Sequence, residues 1–274
     1  GGLTMHDYQM PLVLFTVMSQ WGIGAVLALS LYQWQTQNSA MLSPKALRTT
    51  IALIWLIEVI GSSMSMGHLG DPLGAYRSVL GVAHSWLSRE AIAFVILNGL
   101  ISLWALASWL QPNKIRRNSL LGLFCGLIGL PVILITAQIY YQMQTHALWH
   151  TPATQISFIG TALLLGFGSV IPWLQLQGKK TIHTLHFGAF IGLLLVLMGL
   201  VIRVQISGAN VASLLLWWQV IASLIIGCVI ITLSRSSLFT KALISIITIF
   251  ILFSGEIAGR MLFYGNVMSQ SPWF

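Results

Sequence analysis

The chain has 274 residues, of which 57% are hydrophobic and only 7% are charged, against about 25% charged residues in an ordinary soluble domain. The net charge is +8, but the basic residues fall in short segments between apolar runs, a pattern typical of membrane topology rather than of nucleic-acid binding. The composition therefore excludes a soluble domain. It predicts an integral membrane protein with membrane lipid around it and no nucleic-acid partner.

Eight apolar runs are long enough to cross a bilayer, which takes about 20 residues of helix. In chain order they cover residues 11–33, 46–67, 88–110, 118–140, 155–177, 182–206, 213–233 and 241–265. The runs are continuous and lack the alternation of barrel strands, so they favour helices. The predicted fold is an all-α integral membrane protein, with residues 1–274 forming a single eight-helix membrane anchor domain.

Lys and Arg are distributed unequally between the two sides of this bundle, and this predicts its orientation. One side carries nine of them and the other four, so we expect the first side to be cytoplasmic. An even number of spans then leaves the N- and C-termini outside, which means periplasmic for a multi-pass protein of a bacterial inner membrane. The nine are Lys45, Arg48, Lys114, Arg116, Arg117, Lys179, Lys180, Arg235 and Lys241.

The remaining ionisable residues collect near the outer side. Four of the five carboxylates and five of the seven histidines fall there, and a topology signal does not explain such clustering. The histidines lie near helix ends or in loops, which disfavours a b-type haem held between helices. Cys125 and Cys228 are isolated, so they form no CxxC site. We expect this chain to bind neither haem nor an iron–sulfur cluster.

The longest polar interruption lies between the second and third runs and contains His68 and Arg77, with Glu90 at the start of the third run. Glu90 begins the third run with Ser88 as a candidate cap, a position where a helix N-terminus favours negative charge. A first-turn glutamate with a loop histidine is one interpretation. The other is an acid–base pocket at the membrane boundary, with His68 and Glu90 as its proton-accepting groups.

Further ionisable residues lie within predicted spans, where such residues are expensive and often functional. Glu256 and Arg260 are four residues apart on one helical face, which predicts an ion pair that either stabilises the bundle or belongs to a site. Tyr264, one turn further, could contact a ligand or sit in the interfacial aromatic belt. Glu58 is either a carboxylic acid hydrogen-bonded between helices or a step in a proton path. Arg203 is expected to pair with a carboxylate on a neighbouring helix.

An acidic and histidine-containing pocket at a membrane boundary suits a lipid-soluble substrate that loses protons together with electrons, such as a quinol. Histidine changes protonation near neutral pH, as a general base requires. Two other classes stay open: a purely structural anchor for a soluble complex, and a small transporter or channel.

Three blocks of sequence carry a family resemblance. HDYQMPLVLFTVMSQ at the start, SMGHLGDPLGAYRSVL followed by SWLSRE, and the closing GEIAGRMLFYG resemble the membrane anchor subunit (DmsC family) of dimethyl sulfoxide reductase-type molybdoenzymes. They occur in the expected order and cover about a quarter of the chain. Glu58 does not belong to the family pattern, and Arg89 stands where a small polar residue is expected.

The resemblance implies an anchor that oxidises menaquinol and passes the electrons to a four-cluster iron–sulfur subunit. A molybdopterin catalytic subunit would then reduce dimethyl sulfoxide or a related S- or N-oxide, which the anchor alone does not do. His68 and Glu90 match family positions tied to quinol binding. Arg77, Glu256, Arg260 and Tyr264 match the blocks, and we expect them to complete the quinol site. A related polysulfide- or nitrite-reductase-type anchor is the nearest alternative.

Overall fold

The computed structural model describes residues 8–69 and 85–268, without the side chains of residues 66–69 and 268. Throughout these residues the regular structure is helical, and eight helices are long and apolar enough to cross a membrane. This confirms the predicted all-α class and the number of spans. The helices are α1 Met10–Thr36, α2 Pro44–Leu69, α3 Trp86–Leu110, α4 Ile115–Tyr141, α5 Ala153–Leu176, α6 His183–Val204, α7 Leu214–Leu233 and α8 Ala242–Met268.

The two helices α1 and α5 form the centre of the bundle. In their most apolar windows, 83% of the α1 residues and 72% of the α5 residues are buried, against 28% to 44% in the other six spans. Glycines allow their backbones to approach closely. A Cβ on Gly24 would lie only 1.8 Å from the carbonyl oxygen of Ala162, and one on Gly166 would lie 2.2 Å from the Gly24 backbone. Such small-residue contacts are typical of helix packing in membranes, where backbones must come close to gain dispersion energy. The other helices surround this pair and expose apolar side chains outward.

One helix departs from regular α geometry. In α7, residues Val220–Ile225 form a π-helical segment between two α-helical parts. Such segments are rare and are frequent at functional sites. The apolar run of α7 gave no sign of it, since hydrophobicity does not distinguish i→i+4 from i→i+5 hydrogen bonding.

The two ends of the bundle differ in polarity. We call the end where α1 begins and α8 finishes the site end. The opposite end, formed by the connections 37–43, 111–114, 177–182 and 234–241 together with the adjoining helix ends, is the basic end. It carries the nine Lys and Arg residues, and none of these four connections contains an Asp or Glu.

Candidate functional site

Glu90 lies in α3 near the site end. The α3 N-cap is Ser85, whose hydroxyl accepts a hydrogen bond from the Ser88 backbone N–H at 3.5 Å. The predicted cap at Ser88 is therefore wrong by one turn, because α3 begins earlier than its apolar run. Glu90 is consequently one turn deeper than expected, and its buried side chain lies beside Thr136 of α4.

A pair of buried tyrosines connects this region to α8. The hydroxyl of Tyr264 donates to that of Tyr140 over 2.6 Å, and their rings meet edge to face. Both side chains are close enough to Glu90 and Arg260 to interact with them electrostatically. Tyr264 is completely buried, so it does not sit in the interfacial aromatic belt, and its contact with a ligand stays a prediction.

Glu256 is the most fully hydrogen-bonded carboxylate of the described residues. Its Oε1 accepts from the Thr161 hydroxyl at 2.6 Å. Its Oε2 accepts from the Gln219 amide at 3.0 Å and from the Ser223 hydroxyl at 2.8 Å. A buried carboxylate needs such donors, since an unpaired charge in a low-dielectric interior is very costly.

Arg260 shares one of these partners. Its Nη2 donates to Thr161 at 2.9 Å and to Oε1 of Gln20 at 3.0 Å, while its guanidinium lies 4.0 Å from the centre of the Phe158 ring. The Thr161 hydroxyl thus joins Arg260 to Glu256, in place of the direct ion pair predicted from their spacing. Nη1 of Arg260 is buried without a hydrogen-bond partner among the described residues.

The packing of α7 against α8 makes this arrangement possible. A Cβ on Gly255 would lie 2.4 Å from the Ser223 hydroxyl, and one on Gly259 would lie 2.2 Å from the Gln219 side chain. The two glycines of α8 therefore leave the space that the polar side chains of α7 occupy. Because Ser223 lies inside the π-helical segment, the irregular turn is part of what directs α7 donors toward Glu256.

Arg203 and the connection between α4 and α5 cover the site from the side. Arg203 donates to the backbone oxygen of Leu148 at 3.3 Å and to Thr154 at 3.4 Å. Among the described residues a loop carbonyl and a hydroxyl accept the hydrogen bonds of Arg203, in place of the carboxylate that was predicted. Trp149 in the same connection is fully buried and donates to the Phe263 carbonyl at 2.8 Å.

The space inside this cluster is small. A cavity of about 20 Å³ is lined by Phe158, Thr161, Glu256 and Arg260 among others. That is enough for about one water molecule and far too little for a quinol ring. Glu256 and Arg260 are therefore enclosed within the bundle in this state of the protein.

The depth of Glu256 in the bundle differs from the prediction that it lies near the outer side. Glu256 precedes the end of α8 at Met268 by 12 residues, about 18 Å at 1.5 Å per residue, so it lies near the middle of its helix rather than at the outer side. Tyr264 and Glu90 are each four residues from a helix end. The polar cluster thus extends from the membrane boundary to the interior of the bundle.

The structure brings four of the six predicted site residues into one region: Glu90, Glu256, Arg260 and Tyr264. His68 falls in the last turn of α2, but its side chain lies outside the described residues. Arg77 lies outside them entirely.

Sequence reasoning missed the neutral members of the cluster. Each is a polar residue inside an apolar run, and together they lie on four helices. Sorting such residues by depth along each run could have indicated that they meet. They are Gln20, Thr136, Tyr140, Thr161, Gln219 and Ser223.

Glu58 belongs to a different region, between α1, α2 and α3. It is fully buried, and the Ser62 hydroxyl lies 3.2 Å from its Oε1 and 3.3 Å from Oδ1 of Asn98. Its Oε2 has no hydrogen-bond partner among the described residues, and a Cβ on Gly22 would lie 2.5 Å from that oxygen. Ser62 lies on the same helix as Glu58, so the predicted hydrogen bonding between helices is present only indirectly, through Ser62 to Asn98 of α3.

Candidate metal ligands are not clustered in the described part of the protein. No three His, Cys, Asp or Glu side chains are grouped there as metal ligands would be. Cys125 is buried and Cys228 is exposed, and both are free thiols. The cluster at the site end is thus built from carboxylates, one guanidinium, hydroxyls and amides.

Similarity to known proteins extends over nearly the whole sequence. The sequence model of the family described as DMSO reductase anchor subunit (DmsC) matches residues 5–266. The anaerobic dimethyl sulfoxide reductase chain YnfH of Escherichia coli (strain K12) is 29% identical over 96% of both proteins. An anaerobic dimethyl sulfoxide reductase polypeptide of Haemophilus influenzae is 26% identical, again over 96% of both.

A third relative has a different name. A sulfite dehydrogenase subunit of Allochromatium vinosum is 30% identical over 44% of this protein and 40% of its own length. No solved structure matches the sequence. Since the family model spans almost all of it, this chain belongs to the DMSO reductase anchor subunit (DmsC) family.

Proposed function

We propose that this protein is the quinol-oxidising anchor of an S- or N-oxide reductase complex in a bacterial inner membrane. The observation that carries the proposal is the cluster running from Glu90 through the Tyr140–Tyr264 pair to Arg260 and Glu256. Proton acceptors near a membrane boundary, continuous with buried polar groups, are what oxidation of a lipid-soluble quinol requires. A tether alone would need no such groups inside the bundle.

The proposed chemistry begins at the boundary. Oxidation of menaquinol to menaquinone releases two protons and two electrons. The ring would approach the outer ends of α2, α3 and α8, since the enclosed cavity at Glu256 is too small for it. Glu90 or His68 accepts the two hydroxyl protons in turn as general base and releases each to the outer side.

The electrons leave to a partner. In this proposal an iron–sulfur subunit with four clusters docks at the site end, which we place on the periplasmic side, and a molybdopterin subunit reduces the terminal acceptor. Arg77, Arg260, Glu256 and Tyr264 are proposed to shape and polarise the quinol site. The names of the two dimethyl sulfoxide reductase relatives described above support this part of the proposal.

The test is titration of a fluorescent quinol-analogue inhibitor into membranes that contain the assembled complex. We expect saturable binding in the wild type, weakened about tenfold or more by Glu90→Gln and by His68→Ala, as for the loss of a hydrogen bond to a charged group. Glu58→Gln is the matched control, because it changes another buried carboxylate outside the cluster. Menaquinol oxidation at the wild-type rate by assembled Glu90→Gln and His68→Ala complexes would refute the proposed site.

The similarity to a sulfite dehydrogenase subunit favours one alternative, an anchor that serves a different terminal substrate. That match is restricted to less than half of both proteins, whereas the dimethyl sulfoxide reductase relatives match over 96%. Assaying the purified complex with dimethyl sulfoxide and with sulfite would separate the two. Absence of quinol-analogue binding in an intact complex would instead favour a structural anchor, and solute flux through this protein alone would favour a transporter.

A further inference from the structure

A second cavity lies at the basic end of the bundle, far from the cluster just described. It has a volume of about 540 Å³ and is bounded by the connection 177–182, the start of α6 and the connection 234–241. Lys179, Lys180 and Arg235 line it, together with the imidazoles of His183 and His186. Two loops distant in sequence therefore direct their basic residues to one concave surface.

These cations have no acidic partner in the connections of the basic end. The five carboxylates of the protein are at positions 7, 58, 71, 90 and 256, and none falls in those connections. Arg235 instead lies against His183, with Nη2 at 3.4 Å from Nε2. Cations that line one concave surface without carboxylates favour an external anion, because like charges repel one another.

Buried polar atoms around the cavity are also unsatisfied within the described part of the protein. Gln175 is only 7% exposed, and its Oε1 has no hydrogen-bond partner. The hydroxyl of Thr181 and Nε2 of His186 are likewise buried and unpartnered. Most buried polar groups in native proteins are paired, so three such atoms around one cavity indicate a polar ligand.

The first turn of α6 supplies further donors. Its N-cap is Ile182, which makes no side-chain cap, so N–H groups of the first turn can bind an anion at the positive end of the helix dipole. A phosphate group fits this combination of cations, hydroxyls and backbone donors. From the cavity, α6 continues with the exposed Phe187 and Phe190, a surface suited to acyl chains.

We propose that this cavity binds the phosphate group of an acidic phospholipid at the inner membrane boundary. Basic cavities between transmembrane helices at this level are suited to such headgroups. Phosphatidylglycerol, which combines an anionic phosphate with headgroup hydroxyls, is the probe of choice. The excess of Lys and Arg at this end accounts for topology, but topology does not require a concave site with unsatisfied buried atoms.

The experiment counts phosphatidylglycerol molecules retained by the complex, purified in neutral detergent, by intact-mass spectrometry during titration. We expect one saturable site in the wild type and about 30-fold weaker binding in Lys180→Gln/Arg235→Gln, from the loss of two cations near one phosphate. Lys180→Arg, which keeps the charge, should bind as the wild type does. Lys180→Gln alone, expected to bind about fivefold more weakly, tests the site even if the double variant assembles poorly.

The matched control is Lys114→Gln/Arg116→Gln, which removes two charges from a separate groove at the same end. Retained binding in this control, with loss in Lys180→Gln/Arg235→Gln, supports the cavity. Competition by inorganic phosphate at concentrations similar to the lipid would identify free phosphate as the source of the bound group and overturn the lipid assignment. Equal loss in both double variants, or equal binding of phosphatidylcholine, would also overturn the proposal.

Discussion

Glu256 and Glu58 are both buried carboxylates near the middle of their helices, yet their surroundings are opposite. Glu256 accepts three hydrogen bonds from α5 and α7 and is joined to Arg260 through Thr161. Glu58 has Ser62 beside one oxygen, while the other has no hydrogen-bond partner among the described residues and faces the space left by Gly22. Glu256 therefore belongs to a hydrogen-bond network, whereas Glu58 fits mainly because Gly22 has no side chain. Depth in the membrane alone therefore says little about the role of an intramembrane acid.

Removing the carboxylate of Glu256 should have the largest effect on stability. Glu256→Ala leaves Thr161, Gln219 and Ser223 without their shared acceptor and removes the charge that Arg260 senses nearby. Breaking a buried charge interaction in this way costs about 3–5 kcal/mol. We expect a marked drop in the thermal unfolding midpoint of the solubilised complex. Glu256→Gln, which keeps one acceptor oxygen, should lose clearly less. Equal losses in both variants would contradict this expectation, because they would mean that the single acceptor oxygen kept by Gln does not support the network.

Substituting Gly22, the glycine beside Glu58, should have the second-largest effect on stability. A methyl group at Gly22 would lie 2.5 Å from Oε2 of Glu58, and overpacking of this kind costs about 1–3 kcal/mol. Gly22→Ala should therefore lower the unfolding midpoint. Gly99→Ala is the matched control, because a Cβ there meets nothing within 4 Å. Combining Gly22→Ala with Glu58→Ala should restore part of the loss, and simple addition of the two losses would contradict direct contact.

The tyrosine pair tests whether the cluster depends on individual hydroxyls. Tyr264→Phe leaves the buried hydroxyl of Tyr140 without its 2.6 Å partner, at a cost of about 1–2 kcal/mol. The double variant Tyr140→Phe/Tyr264→Phe removes both groups and should be closer to the wild type in stability. Thermal unfolding of the two variants measures the difference. A double variant less stable than either single one would mean that the hydroxyls have other important partners.

The smallest change in stability is expected from substituting Glu58 itself. Glu58→Gln keeps an acceptor for Ser62 and nearly the same shape, so its free energy of unfolding should change by less than about 1 kcal/mol. Menaquinol oxidation by the assembled complex should continue at the wild-type rate if Glu58 is a structural acid. A strong decrease in that rate with unchanged assembly would assign Glu58 to a proton path.

The number and bounds of the helices could be predicted because hydrophobic length is a local property of the sequence. Each predicted span agrees with a described helix to within a few residues. The exact ends were harder to predict: α3 begins at Trp86, two residues before its apolar run, and α8 continues to Met268, three residues beyond its run. Charged residues of the cluster were found from the sequence, because a charge inside an apolar run stands out. Gln219 and Ser223 were missed because they resemble ordinary polar residues tolerated in any span.

By itself the sequence determined the membrane environment, the eight helices and the unequal charge of the two ends, because each follows from composition along a single segment. Only the tertiary structure decided which intramembrane residues meet. The glycines of α8 and the π-helical turn of α7 bring donors to Glu256, whereas Gly22 leaves room for an oxygen of Glu58 that stays unpaired among the described residues. Contacts of this kind depend on the rotation and close approach of neighbouring helices, which are set by packing across the whole bundle rather than by any one span.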